Sequence, residues 1–221
     1  MIIEFQHIDA SGAEQRFLIS KNRSPHSTGK IGNLTRMQDI SLQYSTKEAL
    51  CGIYEAPSFK DCIPFLHWFG VERLSRRLRI ETDGGIIARF ALSRHGIYKS
   101  YYKIMFPDGE ELCCYTYAHK SFSYLCFYKG GTQIALAETY LVSIDGKHNH
   151  KLYLLDEYEA YADILSLLLL HHVNHTFTKS LFAQKSTMRS FVFTISAYKQ
   201  MYDPAWRERH FPKENFWGRI L

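Results

Sequence analysis

Long apolar runs are scarce in this chain of 221 residues, and none reaches the length of a membrane span. The longest run, residues 164–170, is interrupted by Ser166, whereas a helix that crosses a bilayer needs about 20 apolar residues. Residues 1–15 contain no basic segment followed by an apolar one, so no secretory signal is expected. We therefore expect a cytoplasmic protein, at most peripheral to a membrane.

The sequence motifs of common enzyme classes are also missing. The chain contains no Gly-x-Ser-x-Gly elbow, no Walker-type phosphate loop and no dinucleotide-binding glycine pattern. Its five cysteines include no Cys-x-x-Cys pair, and buried free thiols in a reducing compartment explain them. We predict that the protein is not an enzyme and that it uses neither a cofactor nor a metal ion.

Charge and aromatic content narrow the class of partner. Lys and Arg number 27 against 22 Asp and Glu, which gives a formal net charge of +5. This mild excess permits attraction to phosphates or to an anionic membrane, but without a clustered basic face it does not indicate nucleic-acid binding. Tyrosine and phenylalanine number 15 each, which favours strands. No nucleic-acid partner is expected, because the alternating aromatic residues fit a barrel wall better than a base-stacking surface.

Alternating apolar and polar residues, separated by turn sequences every 8–12 residues or so, indicate a β-sandwich or barrel. The clearest turns are Asp83-Gly84-Gly85, Pro107-Asp108-Gly109, Gly130-Gly131 and Asp145-Gly146. Residues 1–20 predict a hairpin, and residues 189–196 predict a late strand. Residues 21–32 are polar and contain Pro25 and Gly29, so we expect a loop there. Strands do not alternate with helices, which argues against a parallel nucleotide-binding sheet.

One helix is predicted over residues 157–174, with Asp156 as its N-cap. Its middle, residues 164–170, is apolar on every side except at Ser166, and a helix of this kind is buried. An open sheet cannot enclose it, whereas a closed antiparallel barrel can, and closure also removes exposed strand edges. We therefore predict a mostly-β domain over residues 1–196, with residues 197–221 as an irregular C-terminal tail packed on the barrel.

Three features occur in a recognisable order. They are the meander over residues 79–155, the turn-bounded strand Gly131-Thr132-Gln133-Ile134-Ala135, and the helix segment Asp163-Ile164-Leu165-Ser166-Leu167-Leu168-Leu169-Leu170. Over residues 31–196 this order resembles the superfamily that joins tubby C-terminal domains, plant LURP-one-related proteins and phospholipid scramblases. Tyr202-Asp203-Pro204-Ala205-Trp206 is similar to the ending of small bacterial members. The resemblance implies a closed, tubby-like, twelve-stranded barrel around a central hydrophobic helix.

The same resemblance implies binding more than catalysis. Tubby domains are associated with phosphoinositides through basic side chains, although no residues here match theirs one for one. Scramblases act on membranes and carry a cysteine-rich palmitoylation segment, which this chain lacks. Movement of lipid across a bilayer is therefore not implied, and fold analogy alone is a weak warrant for function.

The strongest charge cluster is Arg73, Arg76, Arg77 and Arg79. In a regular strand Arg73, Arg77 and Arg79 share one face while Arg76 points the other way. Three adjacent guanidinium groups offer planar forks of donors to a phosphate or a lipid headgroup. The alternative is a solvated outer face on which these arginines pair with neighbouring acidic residues.

Two further groups of residues are candidates for a function, one as contacts to a protein partner and the other as metal ligands. Trp206, Phe211 and Trp217 lie in the tail, and exposed aromatic residues commonly anchor a protein partner. His171 and His175 are one helical turn apart and could ligate one metal ion, but two ligands are fewer than usual. Histidines near a helix C-terminus are explained equally well by the helix dipole.

The sequence therefore favours a non-enzymatic binding module that docks on anionic phospholipid or phosphorylated ligands. The alternative is a protein-interaction scaffold that uses the aromatic tail. A hydrolase is the least favoured hypothesis, because no activated nucleophile is recognisable.

Overall fold

The computed structural model describes residues 1–11, 14–32, 40–55, 73–95, 99–119, 122–140, 149–177 and 196–212. Within these ranges the side chains of residues 9–11, 73–76, 94–95, 99, 119, 140, 174–177 and 196–198 are not described. The predicted strand over residues 189–196 falls almost entirely outside them.

The described residues form a closed antiparallel barrel of twelve strands. The strands are β1 Ile2–Ser11, β2 Glu14–Lys21, β3 Ser24–Ile31, β4 Ile40–Gln43, β5 Leu50–Tyr54, β6 Arg73–Thr82, β7 Gly85–His95, β8 Lys99–Met105, β9 Glu111–His119, β10 Phe122–Lys129, β11 Thr132–Tyr140 and β12 His150–Leu154. The mostly-β class and the closed antiparallel barrel are thus confirmed.

Barrel closure joins the first strand to the last. Each strand pairs with its neighbours along the chain, and β1 pairs with β12 through Ile3 opposite Leu152 and Phe5 opposite His150. Alternate residues face the interior. On β2, Phe17 and Ile19 are buried, whereas Arg16, which precedes Phe17, is exposed. The interior therefore holds the main hydrophobic core, as expected for side chains that alternate across a sheet.

The loop predicted over residues 21–32 is wrong, because strand β3 occupies Ser24–Ile31. Asn22 and Arg23 both have positive φ (49° and 68°), as in the tight hairpin turns that match strand twist. Gly29 faces the interior, where a Cβ atom built on it would lie 2.8 Å from Leu170 Cδ1. Glycine here marks a close approach to another element rather than a loop.

The helical segment after β12 is divided in two. Residues Asp156–Tyr161 form a 3₁₀ turn, and helix α1 spans Ala162–Phe177, so the α-helix starts later than predicted. The predicted Asp156 cap is wrong, since no side chain caps this turn and the Asp156 carboxylate accepts a hydrogen bond from the Met1 nitrogen (2.5 Å). Side chains of α1 from Leu165 to Val173 are buried, and the apolar ones among them belong to the same core as the inward-facing strand residues.

The described part of the tail is more regular than predicted. Residues Ser196–Met201 form a 3₁₀ turn, and helix α2 spans Trp206–His210. Side chains of this part of the tail join a second hydrophobic cluster on the outer face of strands β9 to β12. Within the described ranges, no helix combines the length and the apolar character that crossing a membrane requires.

Candidate functional site

Strand β6 places two of the predicted arginines on the outside of the barrel. Leu78 and Ile80 are fully buried, and Arg77 and Arg79 alternate with them. Alternation across the pleat puts Arg77 and Arg79 on the outward face. These two members of the predicted cluster are therefore brought together on one surface.

A third arginine joins them from the next strand. Arg89 on β7 is the register partner of Arg79, so the two residues lie side by side across the ladder. Sequence reasoning missed Arg89, because a register shift between Ile80 and Glu81 places it there. Counting back from the Asp83-Gly84 turn without that bulge puts Ala88 opposite Arg79 instead. We call Arg77, Arg79 and Arg89 the arginine face.

Two glutamates balance part of this charge. Arg79 donates from Nε to Glu81 at 2.9 Å, and Arg89 Nε lies 3.6 Å from a carboxylate oxygen of Glu55. The Arg79 and Arg89 side chains remain 36% and 52% exposed. Both contacts use Nε, and a guanidinium group carries further N–H donors on its two terminal nitrogens. The guanidinium groups of Arg79 and Arg89 therefore remain partly exposed, and these two contacts do not use their terminal nitrogens.

Arg73 also belongs to β6, where its backbone pairs with that of Arg94. A register shift between Ser75 and Leu78 interrupts the alternation on which the predicted common face depends. The side chain of Arg73 lies outside the described set. A shared face of Arg73 with Arg77 and Arg79 therefore stays a prediction.

The helix histidines do not assemble a ligand set among the described side chains. His171 is fully buried, with Nδ1 3.0 Å from the Tyr54 hydroxyl and its ring 5.8 Å from that of Tyr102. The side chain of His175 lies outside the described set. In the part of the chain that the structure describes, no three histidine, cysteine, aspartate or glutamate residues converge as metal ligands. His171 is placed as a core histidine that pairs with a tyrosine.

Two of the three aromatic residues predicted to meet a partner, Trp206 and Phe211, pack on the barrel. Trp206 is only 4% exposed, and Phe211 packs against Trp206 and Tyr153 at ring distances of 5.9 and 5.4 Å. Trp217 lies outside the described residues. A partner would therefore have to displace the tail to reach Trp206, so that role stays a prediction.

A buried ion pair anchors this tail, and no local sequence pattern predicted it. Arg207 Nη1 on α2 lies 3.6 Å from Glu138 Oε2 on β11, and both side chains are more than nine-tenths buried. Burial raises the pKa of Glu138 above its ordinary value, although Arg207, Tyr153 and Lys151 act in the opposite direction. A buried pair of this kind is costly to break from one side, since the remaining charge is left uncompensated.

A third polar cluster fixes the start of α1 to the barrel rim. Asp163 accepts hydrogen bonds from Lys47 (2.5 Å) and His26 (3.1 Å), and Lys47 also lies over the Tyr44 ring. Burial acts to raise the pKa of Asp163, but the hydrogen bonds from Lys47 and His26 and the charge of Lys47 outweigh it and bring that pKa below its ordinary value. This cluster is a structural anchor for the helix.

The Asp163 cluster predicts how stability changes in acid. A carboxyl whose folded-state pKa is lowered stabilises the fold above its ordinary pKa, and this contribution is lost as pH falls through the lowered value. Between roughly pH 5 and pH 2, the wild-type free energy of unfolding should fall more steeply than that of Asp163→Asn. Urea denaturation over this range measures both slopes. The exposed-turn variant Asp83→Asn should keep the wild-type slope; an equally steep fall in Asp163→Asn would contradict the expectation.

Comparisons of the chain with known protein families, with curated proteins and with solved structures found no match.

Proposed function

We propose that this protein is a non-enzymatic binding module that docks on anionic phospholipid headgroups through the arginine face. The observation that carries the proposal is the placement of Arg79 and Arg89 as register partners on the outward surface, with Arg77 on the same face. Adjacent guanidinium groups match the oxygens of a phosphate better than lysines do, because each offers a planar fork of donors.

The acidic neighbours of the arginine face determine how strongly we expect it to attract anionic headgroups. Glu81 and Glu55 each neutralise part of one arginine, so the arginine face is suited to moderate, reversible attraction. Attraction between exposed charges weakens as salt shortens the Debye length. Binding is therefore expected to be salt-sensitive and to place the protein at the cytoplasmic surface of a membrane.

A tubby-like architecture is part of the same proposal, with α1 as the central helix of the barrel. Support comes from the burial of Leu165, Leu168 and Leu169 in the core that the strands share. Two strand glycines add to it: a Cβ atom on Gly29 would meet Leu170, and one on Gly52 would lie 3.3 Å from Leu167 Cδ2. The association of tubby domains with phosphoinositides agrees with a headgroup ligand, although it is an analogy of fold.

Co-sedimentation with liposomes tests the ligand. Wild-type protein should bind vesicles that contain phosphatidylserine or phosphoinositide, bind neutral vesicles far less, and dissociate as salt rises. A basic residue near an anionic surface contributes about 1 kcal/mol, so Arg79→Gln with Arg89→Gln should weaken binding by roughly tenfold or more.

A matched control is available on another face of the barrel. Arg16 and Lys30 are also register partners, on β2 and β3, and both pair with Glu14. Arg16→Gln with Lys30→Gln removes the same charge and should leave vesicle binding within about twofold. Equal loss in both double variants would show a net-charge effect and would sink the arginine face as the site. Soluble inositol phosphates, added as competitors, distinguish a headgroup-specific site from general surface attraction.

A further inference from the structure

The tail lies on a barrel that is already complete without it. The pairing of β1 with β12 closes the sheet, so residues 196–212 supply no strand to the barrel. The tail forms a separate layer on the outer face of strands β9 to β12. Its contacts are therefore those of a segment docked on a finished surface, as in peptide recognition.

The covered surface has an unusual composition for the outside of a barrel. It consists of Tyr117, Tyr124, Leu136, Glu138 and Tyr153, which we call the tail strip. Glu138 is the charged member, and it is outward-facing on β11 because Ala135 and Ala137 occupy the inner face. An outer-face carboxylate would ordinarily be solvated, whereas here the tail covers it and brings a cation to it.

The tail shows what this surface accepts. Tyr202 packs against both Tyr117 and Tyr124 at ring distances of 4.8 and 4.4 Å. Tyr128, beside the strip, donates from its hydroxyl to the Met201 carbonyl at 2.9 Å. Trp206 and Phe211 pack near Tyr153, and Arg207 reaches Glu138. The segment bound on this surface thus has one arginine between aromatic residues. Their spacing is that of Tyr202, Trp206, Arg207 and Phe211.

We propose that the tail strip is a docking surface for protein segments that carry an arginine flanked by aromatic residues, and that residues 196–212 occupy it as a built-in competitor. Charge complementarity commits the site to this partner chemistry, because a segment without a cation leaves the buried Glu138 carboxylate with only Tyr153 and Lys151 to offset its burial. A tethered segment competes at an effective concentration in the millimolar range. A partner therefore binds only when it outcompetes the tail or when the tail is displaced.

This inference is independent of the arginine face, which lies on β6 and β7. The test uses the full chain and a fluorescent synthetic peptide of residues 196–212, with binding followed by anisotropy. The receptor is Tyr202→Ala with Arg207→Ala, which weakens the resident tail but leaves the tail strip intact. Circular dichroism and a thermal melt establish that this variant is folded; if it is not, the milder Arg207→Lys variant replaces it.

The peptide should bind the tail-weakened chain at least tenfold more tightly than the wild type, since the wild-type tail competes. Adding Glu138→Lys to the receptor should abolish binding, and a peptide with Arg207→Glu should restore part of it. This charge exchange is a readout that loss of general stability would not produce.

Two results would overturn the proposal. One is the absence of peptide binding to a folded, tail-weakened chain at millimolar peptide. The other is binding that is equal for the wild type, the tail-weakened chain and the Glu138→Lys receptor, which would place the peptide elsewhere.

Discussion

Replacing Leu168 with aspartate is expected to leave no folded protein. Leu168 is fully buried in α1 among side chains of the barrel core. An uncompensated charge in such a place costs several kcal/mol, while the whole stability of a domain is about 5–15 kcal/mol. Loss of the β-type circular dichroism signal and of a cooperative urea transition would record the result.

The control for this variant places the same residue on the outside of the barrel. Ile8 on β1 is 49% exposed, so Ile8→Asp should fold and lose at most about 1 kcal/mol, the range of strand propensity. Leu168→Met, which nearly conserves volume, should cost less than about 1.5 kcal/mol. A soluble Leu168→Asp chain with a wild-type melting temperature would mean that α1 is not packed in the core, and would remove the central-helix proposal with it.

The parts of the fold that the sequence predicted are those that repeat. Apolar residues separated by glycine-rich turns predicted the hairpins, as at Gly130-Gly131, where two glycines with positive φ join β10 to β11. The apolar run around Leu168 predicted a buried helix, and the need to surround it predicted a closed sheet. These signals are local or follow directly from burial, so a single sequence carries them.

Strand β3 was missed because the glycine within it is explained only by its contact with helix α1. Pro25 and Gly29 are poor strand residues in isolation. Gly29 is required only because Leu170 of α1 lies where its side chain would be. That distance joins residues about 140 positions apart (170 minus 29), and no local pattern reports it.

The residues that pair at the candidate surfaces were missed for a related reason. Arg79 was recognised as a charged residue, but its neighbour Arg89 depends on a bulge that shifts the register by one residue. Glu138 lies in a strand and Arg207 in the tail, and nothing in either segment indicates that they meet. Sequence thus identified the type of residue at these surfaces, whereas tertiary pairing decided which residues face each other.

The two outer surfaces differ in how their charges are used. On β6 and β7 the arginines remain partly exposed and keep donors for an outside ligand. On β11 the carboxylate of Glu138 is already covered by a segment of the same chain. If both proposals hold, a ligand of the first surface is attracted from solution, and one of the second has to displace the tail. Salt should therefore weaken the first interaction more than the second, because buried pairs are screened less.

Replacing Gly29 with valine should be strongly destabilising alone and much less so together with Leu170→Ala. A Cβ atom at residue 29 would lie 2.8 Å from Leu170 Cδ1 and 3.1 Å from Ile19 Cδ1, and overpacking of this kind costs about 1–3 kcal/mol. Leu170→Ala alone leaves a cavity and should cost about 2–5 kcal/mol. In the double variant the valine fills part of that cavity. The stability loss of the double variant should therefore be smaller than the sum of the two single losses by about 1 kcal/mol or more.

Urea denaturation of the four proteins gives the coupling between Gly29 and Leu170. Valine also favours strands and restricts the unfolded chain, but these contributions occur with and without Leu170→Ala and cancel in the coupling energy. The outward-facing variant Thr28→Val on the same strand is the control that makes no contact with Leu170. Thr28→Val combined with Leu170→Ala should be additive within about 0.5 kcal/mol. Additivity in the Gly29 cycle as well would mean that β3 and α1 do not touch at this position, and the glycine would then need another explanation.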